Sequence, residues 1–202
     1  MLAIFDHPVL GRGFRPFFFL GALYAVLIVP IWVLQFSGHL SSYSPFADPV
    51  LWHGHEMVYG FTVAIIAGFL LTAVANWTGG APVRQIYLAL LCCIWLAGRV
   101  AMNSTFSYVA VATIDLVFIP ALAVSLAIPL LKARNARNFI FLCLLAILFF
   151  CDVWLFVFQD RTALYFSLLV VAAMISLIGG RIIPSFTVAA LPSRLSYSEN
   201  AA

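Results

Sequence analysis

Charge is scarce in this sequence. Seven Asp and Glu and ten Lys and Arg among 202 residues leave charged side chains at 8%, too few to solvate a water-soluble domain of this size. The alternation of apolar and polar residues that marks a lipid-facing barrel strand is missing, which excludes a β-barrel. Cys92, Cys93, Cys143 and Cys151 lie inside apolar runs and form no Cys-x-x-Cys spacing, so they read as free thiols and not as a disulfide framework. The net charge of +3 is spread over loops with no basic patch, so no nucleic-acid partner is expected. No polar stretch with a small-residue cleavage site follows the first apolar run, which therefore reads as a span and not a removable signal. A complete set of nucleophile, base and oxyanion donors is absent too, so no enzymatic turnover is argued. Nor does the second half of the chain repeat the first, which leaves an inverted-repeat transporter without direct support.

What the chain has is apolar length. Hydrophobic residues make up 65% and mean hydropathy is +1.12. Six runs, at roughly 16–36, 52–75, 86–102, 109–131, 139–158 and 163–180, match the ~20 residues that a helix needs to cross a core of about 30 Å. The expected fold is all-α: a polytopic membrane protein, a bundle of six transmembrane helices over residues 1–192, with a polar tail at 193–202. Arg12, Arg15, Arg84, Lys132, Arg134, Arg137, Arg181 and Arg194 fall on one side of this arrangement, and only Arg99 and Arg161 on the other. The positive-inside rule then puts both termini in the cytoplasm and the 37–51 loop outside.

The intramembrane polar residues converge on that topology. Asp115 and Asp152 lie about 9–10 Å inside the outer boundary at 1.5 Å rise per residue, and Arg99 and Glu56 sit near the outer ends of their own runs. Four helices thus bring ionisable groups to one depth, where charge is costly and usually functional. Three carboxylates against one guanidinium leave an excess of negative charge, which favours a bound cation or a protonated carboxyl.

The densest cluster is Trp52-His53-Gly54-His55-Glu56-Met57, where His53, His55, Glu56 and Met57 are all metal-competent. Residues two apart on a helix point about 200° from each other, so His53 and His55 share one ion only if the helix starts after them. Pro49 and Gly54 are compatible with such a late start. His53 with Met57 is an i,i+4 pair suited to copper, and His53 with Glu56 is i,i+3. The plainer reading makes both histidines interfacial anchors to headgroups or loop carbonyls.

Other features read as structural. Gly60, Ala64, Gly68 and Thr72 form a small-residue stripe for close helix packing. Pro30, Pro120 and Pro129 can kink their helices. Trp52, Tyr59, Trp77 and Tyr108 fall where an aromatic belt is expected, Asn76 and Arg181 at inner helix ends as bundle anchors, and His7 and His39 in solvated segments.

Four ordered motifs are more specific. Gly13-Phe14-Arg15-Pro16-Phe17-Phe18, then Trp52 to Met57 with Gly60-Phe61, then Gly68-Phe69-Leu70-Leu71-Thr72-Ala73-Val74 with Asn76-Trp77-Thr78-Gly79, and finally Gly179-Gly180-Arg181-Ile182-Ile183-Pro184-Ser185-Phe186-Thr187 together resemble the NnrS family of bacterial inner-membrane proteins, from about Phe14 to Leu191. The resemblance implies haem and copper as cofactors, a link to denitrification and nitric oxide resistance, and His53 and His55 as ligand candidates. Members run to about twice this length, so the chain reads as an N-terminal half, and its expected partner is the other half or a second copy. Two functions follow. One is a haem- or copper-binding membrane protein of the nitric oxide response, with Glu56 orienting a ligand. The other is a transporter or permease subunit with a proton or cation path through Glu56, Arg99, Asp115 and Asp152.

Overall fold

The computed structural model describes residues 7–40 and 44–190, so the tail expected at 193–202 lies outside the described residues. After a short 3-10 turn, Pro8–Gly11, the chain forms six long helices. They are α1 (Phe14–Phe36), α2 (Pro49–Thr78), α3 (Gln85–Met102), α4 (Tyr108–Lys132), α5 (Phe139–Phe158) and α6 (Arg161–Ala190). Each has the length and apolarity to cross a membrane. No strand occurs among the described residues.

The helices run up and down. At one end Phe14 N–H donates to Thr72 Oγ1 (3.2 Å), Asn135 Nδ2 to the Trp77 carbonyl (3.0 Å), and Arg181 to Asn138, tying the start of α1 and α5 to the ends of α2 and α6. At the other end Trp32 Nε1 donates to the Pro49 carbonyl (3.1 Å), Arg161 pairs with Asp48, and Tyr108 donates to the Phe156 carbonyl. Arg12, Arg15, Arg84, Lys132, Arg134, Arg137 and Arg181 gather at the first end, Arg99 and Arg161 at the second. Arg194 lies outside the described residues.

The centre of the bundle is α2. Of its most apolar window 61% is buried, against 17% for α1 and 22% for α6. Val26, Phe19, Leu169 and Ile175 on these outer helices are each two-thirds or so exposed, which suits hydrocarbon and not water. Close approach to α2 comes from the small-residue stripe: a Cβ on Gly68 would lie 3.0 Å from Phe17 Cβ, and one on Gly21 of α1 3.4 Å from Ala64 Cβ. Without a hydrophobic driving force between helices in lipid, such tight backbone contact is what holds them together.

Three expectations change. The start of α2 is early, at Pro49, because the Asp48 carboxylate accepts the Val50 N–H (2.9 Å) and Pro49 occupies the first turn, both strong helix starters. Gly54, instead of delaying the helix, lets Leu164 of α6 approach, since a Cβ there would sit 2.6 Å from Leu164 Cδ1. Trp52 and Tyr59 are core residues and not belt aromatics, at 0% and 3% exposure; Tyr59 reaches across the bundle to Ser167 Oγ (2.6 Å) and the Leu148 carbonyl (3.2 Å), satisfying a phenol that lipid would leave unpaired. Pro120 acts close to a helix break: α4 is interrupted at Val117, next to Leu116, whose carbonyl lies four residues before the proline and so loses its helical donor.

Candidate functional site

The site is built where α2 leaves α-helical geometry. Residues Glu56–Thr62 form a π-helix, whose wider turn is typical of functional positions. Two hydrogen bonds and a glycine support it. Trp95 Nε1 of α3 donates to the Gly60 carbonyl (3.0 Å), Thr62 Oγ1 donates to the Met57 carbonyl (2.8 Å), and Gly60 has no side chain to obstruct its neighbours. A Cβ on Gly60 would lie 2.8 Å from both Arg99 Nη1 and Tyr24 Cε1.

Around this turn the structure brings together His55, Glu56, Arg99, Asp115 and Asp152, all buried. Glu56 is the hub. Its carboxylate accepts both contacts of Arg99 Nη1 (2.9 Å to each oxygen), the Tyr24 hydroxyl, and His55 Nδ1 (2.9 Å). Arg99 also pairs through Nη2 with Asp115 Oδ1, and Gly98 permits this, because a Cβ there would come within 2.9 Å of that oxygen. Asn103 Nδ2 donates to the Tyr24 hydroxyl (3.4 Å), and Arg99 lies over the Tyr24 ring, 5.9 Å from its centroid.

The imidazole of His55 faces two ways. Since an ionised carboxylate only accepts, the contact with Glu56 places a proton on Nδ1, and Nε2 is the ring nitrogen turned toward the other two carboxylates. Nε2 lies 3.2 Å from Asp115 Oδ2 and 3.2 Å from Asp152 Oδ1. Neither distance comes with hydrogen-bond geometry, and both His55 Nε2 and Asp152 Oδ1 are buried without a hydrogen-bond partner. Three potential ligand atoms therefore face one another, within 4.8 Å. The ring is enclosed by Tyr59, Phe156 and the loop residue Phe46, with centroids 5.0, 5.5 and 5.6 Å away. Phe46 itself is only 2% exposed and covers the cluster on the side of the 37–48 loop.

His53 lies on another face of α2. Its ring stacks on Trp32 of α1 at 4.0 Å and 19°, and its Nδ1 is buried without a partner. It is not in the group formed by His55, Asp115 and Asp152. Met57 is partly buried and packs against the apolar core. Tyr24, Trp95 and Phe46 belong to the site without having been singled out from sequence. Tyr24 carried a signal, since it lies twelve residues before the end of α1, about 18 Å at 1.5 Å per residue, too deep for an interfacial belt and thus in need of an internal partner.

The comparison with known families is decisive for ancestry. A model of the NnrS protein family matches residues 8–202. The chain belongs to the NnrS family. No curated protein and no solved structure matches it. This NnrS member is a multi-helix membrane protein with a buried histidine–carboxylate group that could hold a metal ion.

The cofactors implied by the family can be tested against these residues. A haem on His55 does not fit. Its iron would need Nε2, which already has two carboxylate oxygens at 3.2 Å, and the ring is walled by three aromatics and fully buried, leaving no space for a macrocycle. Copper(I) prefers thiolate and thioether donors, and the group offers one nitrogen and two oxygens. Copper fits this donor set only as the divalent ion.

Proposed function

We propose that this NnrS member is an integral membrane metal-binding protein that serves the nitric oxide response or denitrification, with its metal at the buried His55 cluster. The observation that carries the reading is the meeting of His55 Nε2 with Asp115 Oδ2 and Asp152 Oδ1 at 3.2 Å without a hydrogen bond. Unprotonated, the three atoms carry lone pairs that repel one another until a cation, a metal ion or a proton, lies among them. Charge supports the same reading, because Glu56, Asp115 and Asp152 against Arg99 leave an excess of two negative charges in a medium where unpaired charge is costly. Elemental analysis of the detergent-purified full chain is the test. Stoichiometric metal in the wild type and its loss in His55→Ala is the expected result; equal content in both sinks the reading. In cells, the His55→Ala strain should then be as sensitive to nitric oxide donors as one lacking the protein.

A second reading rests on the chain of contacts from Tyr24 through Glu56 and His55 to Asp152, which is also the form of a proton path. Charge movement in proteoliposomes by metal-free protein favours it over the first. Both readings use the inner-membrane orientation with cytoplasmic termini. A cysteine introduced at His39 should be labelled by an impermeant reagent from outside, and one at Ala133 only from inside; the reverse pattern inverts the orientation.

A further inference from the structure

Resting on the metal-binding reading, we infer that the site takes a single non-haem divalent cation of the zinc, ferrous or manganous class, bound by His55 Nε2, Asp115 Oδ2 and Asp152 Oδ1. Four observations converge on this class. First, one imidazole and two carboxylates form a nitrogen and oxygen donor set, which suits borderline to hard divalent ions and offers no sulfur to soft ones. Second, the charge balances: the excess of two negative charges around Arg99 equals the charge of one such ion, which a monovalent cation or a lone proton would leave half compensated. Third, two of the three ligand atoms, His55 Nε2 and Asp152 Oδ1, are buried with no hydrogen-bond partner and are aimed at the shared space.

The fourth is the surroundings of the ligands. Metal-bound histidines commonly donate their second ring N–H to a carboxylate, which fixes the tautomer and raises the basicity of the ligating nitrogen. Glu56 occupies that position behind His55, 2.9 Å from Nδ1. Glu56 is in turn fixed by Arg99 Nη1 and Tyr24, while Arg99 Nη2 holds Oδ1 of Asp115 and leaves its Oδ2 directed at His55. Glu56 and Arg99 are thus positioning residues: they bind no ion but present the ligand atoms that do. Three protein ligands leave positions for a small exogenous molecule, as in catalytic and not in closed structural sites. His53 and Met57 take no part.

Cobalt(II) is the probe, because its visible d–d absorption reports a nitrogen and oxygen coordination sphere directly. Titrated into the metal-free protein in detergent, Co2+ should give d–d bands at one equivalent, which Zn2+ abolishes by competition. Asp152→Asn, nearly isosteric and expected to fold, should remove the bands, as should His55→Ala. His53→Ala should retain them with affinity unchanged within about twofold. Glu56→Gln should weaken Co2+ about tenfold or more, in the range seen when such orienting partners are changed, and shift the bands without abolishing them.

Failures separate cleanly. Metal that enters through His55 only as copper(I) or haem, with no Co2+ bands, overturns the inference and leaves the metal-binding reading standing. Bands that survive Asp152→Asn and His55→Ala but vanish in His53→Ala place the ion at the Trp32 face and overturn the ligand set. No metal of any kind in the wild type, with an NMR-visible His55 that binds a proton between its two carboxylates, overturns both and leaves the proton path.

Discussion

The two ends of α2 are held in place by different physics. From Val63 to Thr78 its buried face is made of Val63, Ala64, Ala67, Leu70, Leu71 and Val74, and the neighbours fit by shape. Between Trp52 and Thr62 it is held by a mesh of charges and donors in which every group depends on another. Shape tolerates partial loss, because the remaining contacts relax toward the gap. A buried charge does not, because removing one member exposes the desolvation cost of the others.

The largest difference should therefore come from Arg99. Arg99→Met leaves Glu56 and Asp115 buried without their shared cation, and a loss of about 3–5 kcal/mol is expected, read as a lowered midpoint in SDS or thermal unfolding of the detergent-solubilised chain. Leu70→Ala, at 0% exposure in the apolar half, is the control. Its cost should fall near about 2 kcal/mol, the low end for a buried leucine, since lipid removes the aqueous transfer contribution and leaves only packing. An Arg99 effect no larger than that of Leu70 would mean the carboxylates are already neutralised by something else. Restoring the gap by removing metal would identify that something.

Gly60→Ala tests the junction between the halves. One methyl group placed 2.8 Å from Arg99 Nη1 and Tyr24 Cε1 must push the guanidinium away from Glu56, and a cost of about 1–3 kcal/mol follows from overpacking. The accompanying loss of metal affinity should exceed that of Leu70→Ala at equal stability, which a purely structural glycine would not produce.

The two halves also differ in how far sequence reveals them. Six spans and the grouping of basic residues at one end followed from apolar length and loop charge, because lipid imposes continuous helices and leaves little else to decide. The meeting of Arg99, Asp115 and Asp152 was readable from depth alone. The partition of His53 and His55 was half visible, since a two-residue spacing on a helix must separate them. Which one faces inward was not visible, because that depends on rotation of α2 about its axis, set by Gly54 against Leu164, Gly60 against Tyr24 and the π-turn between. A π-turn has no pattern of its own in a run of apolar residues; its supports, Trp95 and Tyr24, come from other helices.

The smallest effect is expected at the mouth of α2, outside the membrane-spanning segment. Asp48 caps Val50 N–H (2.9 Å) and pairs with Arg161, whose Nε lies 3.0 Å from Oδ2. Slight burial works to raise its pKa, but the Arg161 hydrogen bond and the capped backbone N–H outweigh it and hold the carboxyl below its ordinary value. A carboxyl depressed on folding contributes stability above its unfolded pKa, and that contribution is lost as pH falls through the folded value. Asp48→Ala should cost about 1 kcal/mol at neutral pH, as for other helix caps, and the difference from wild type should shrink steadily in acid below the usual carboxylate range. Arg161→Ala should leave most of the cap in place, since a half-exposed pair contributes little. Because Asp48 lies only two residues past Phe46 in sequence, the same two variants report whether fraying this turn opens the cluster: faster Co2+ entry in Asp48→Ala than in Arg161→Ala would make the capped turn part of the path, and equal rates would assign entry to another face of the bundle.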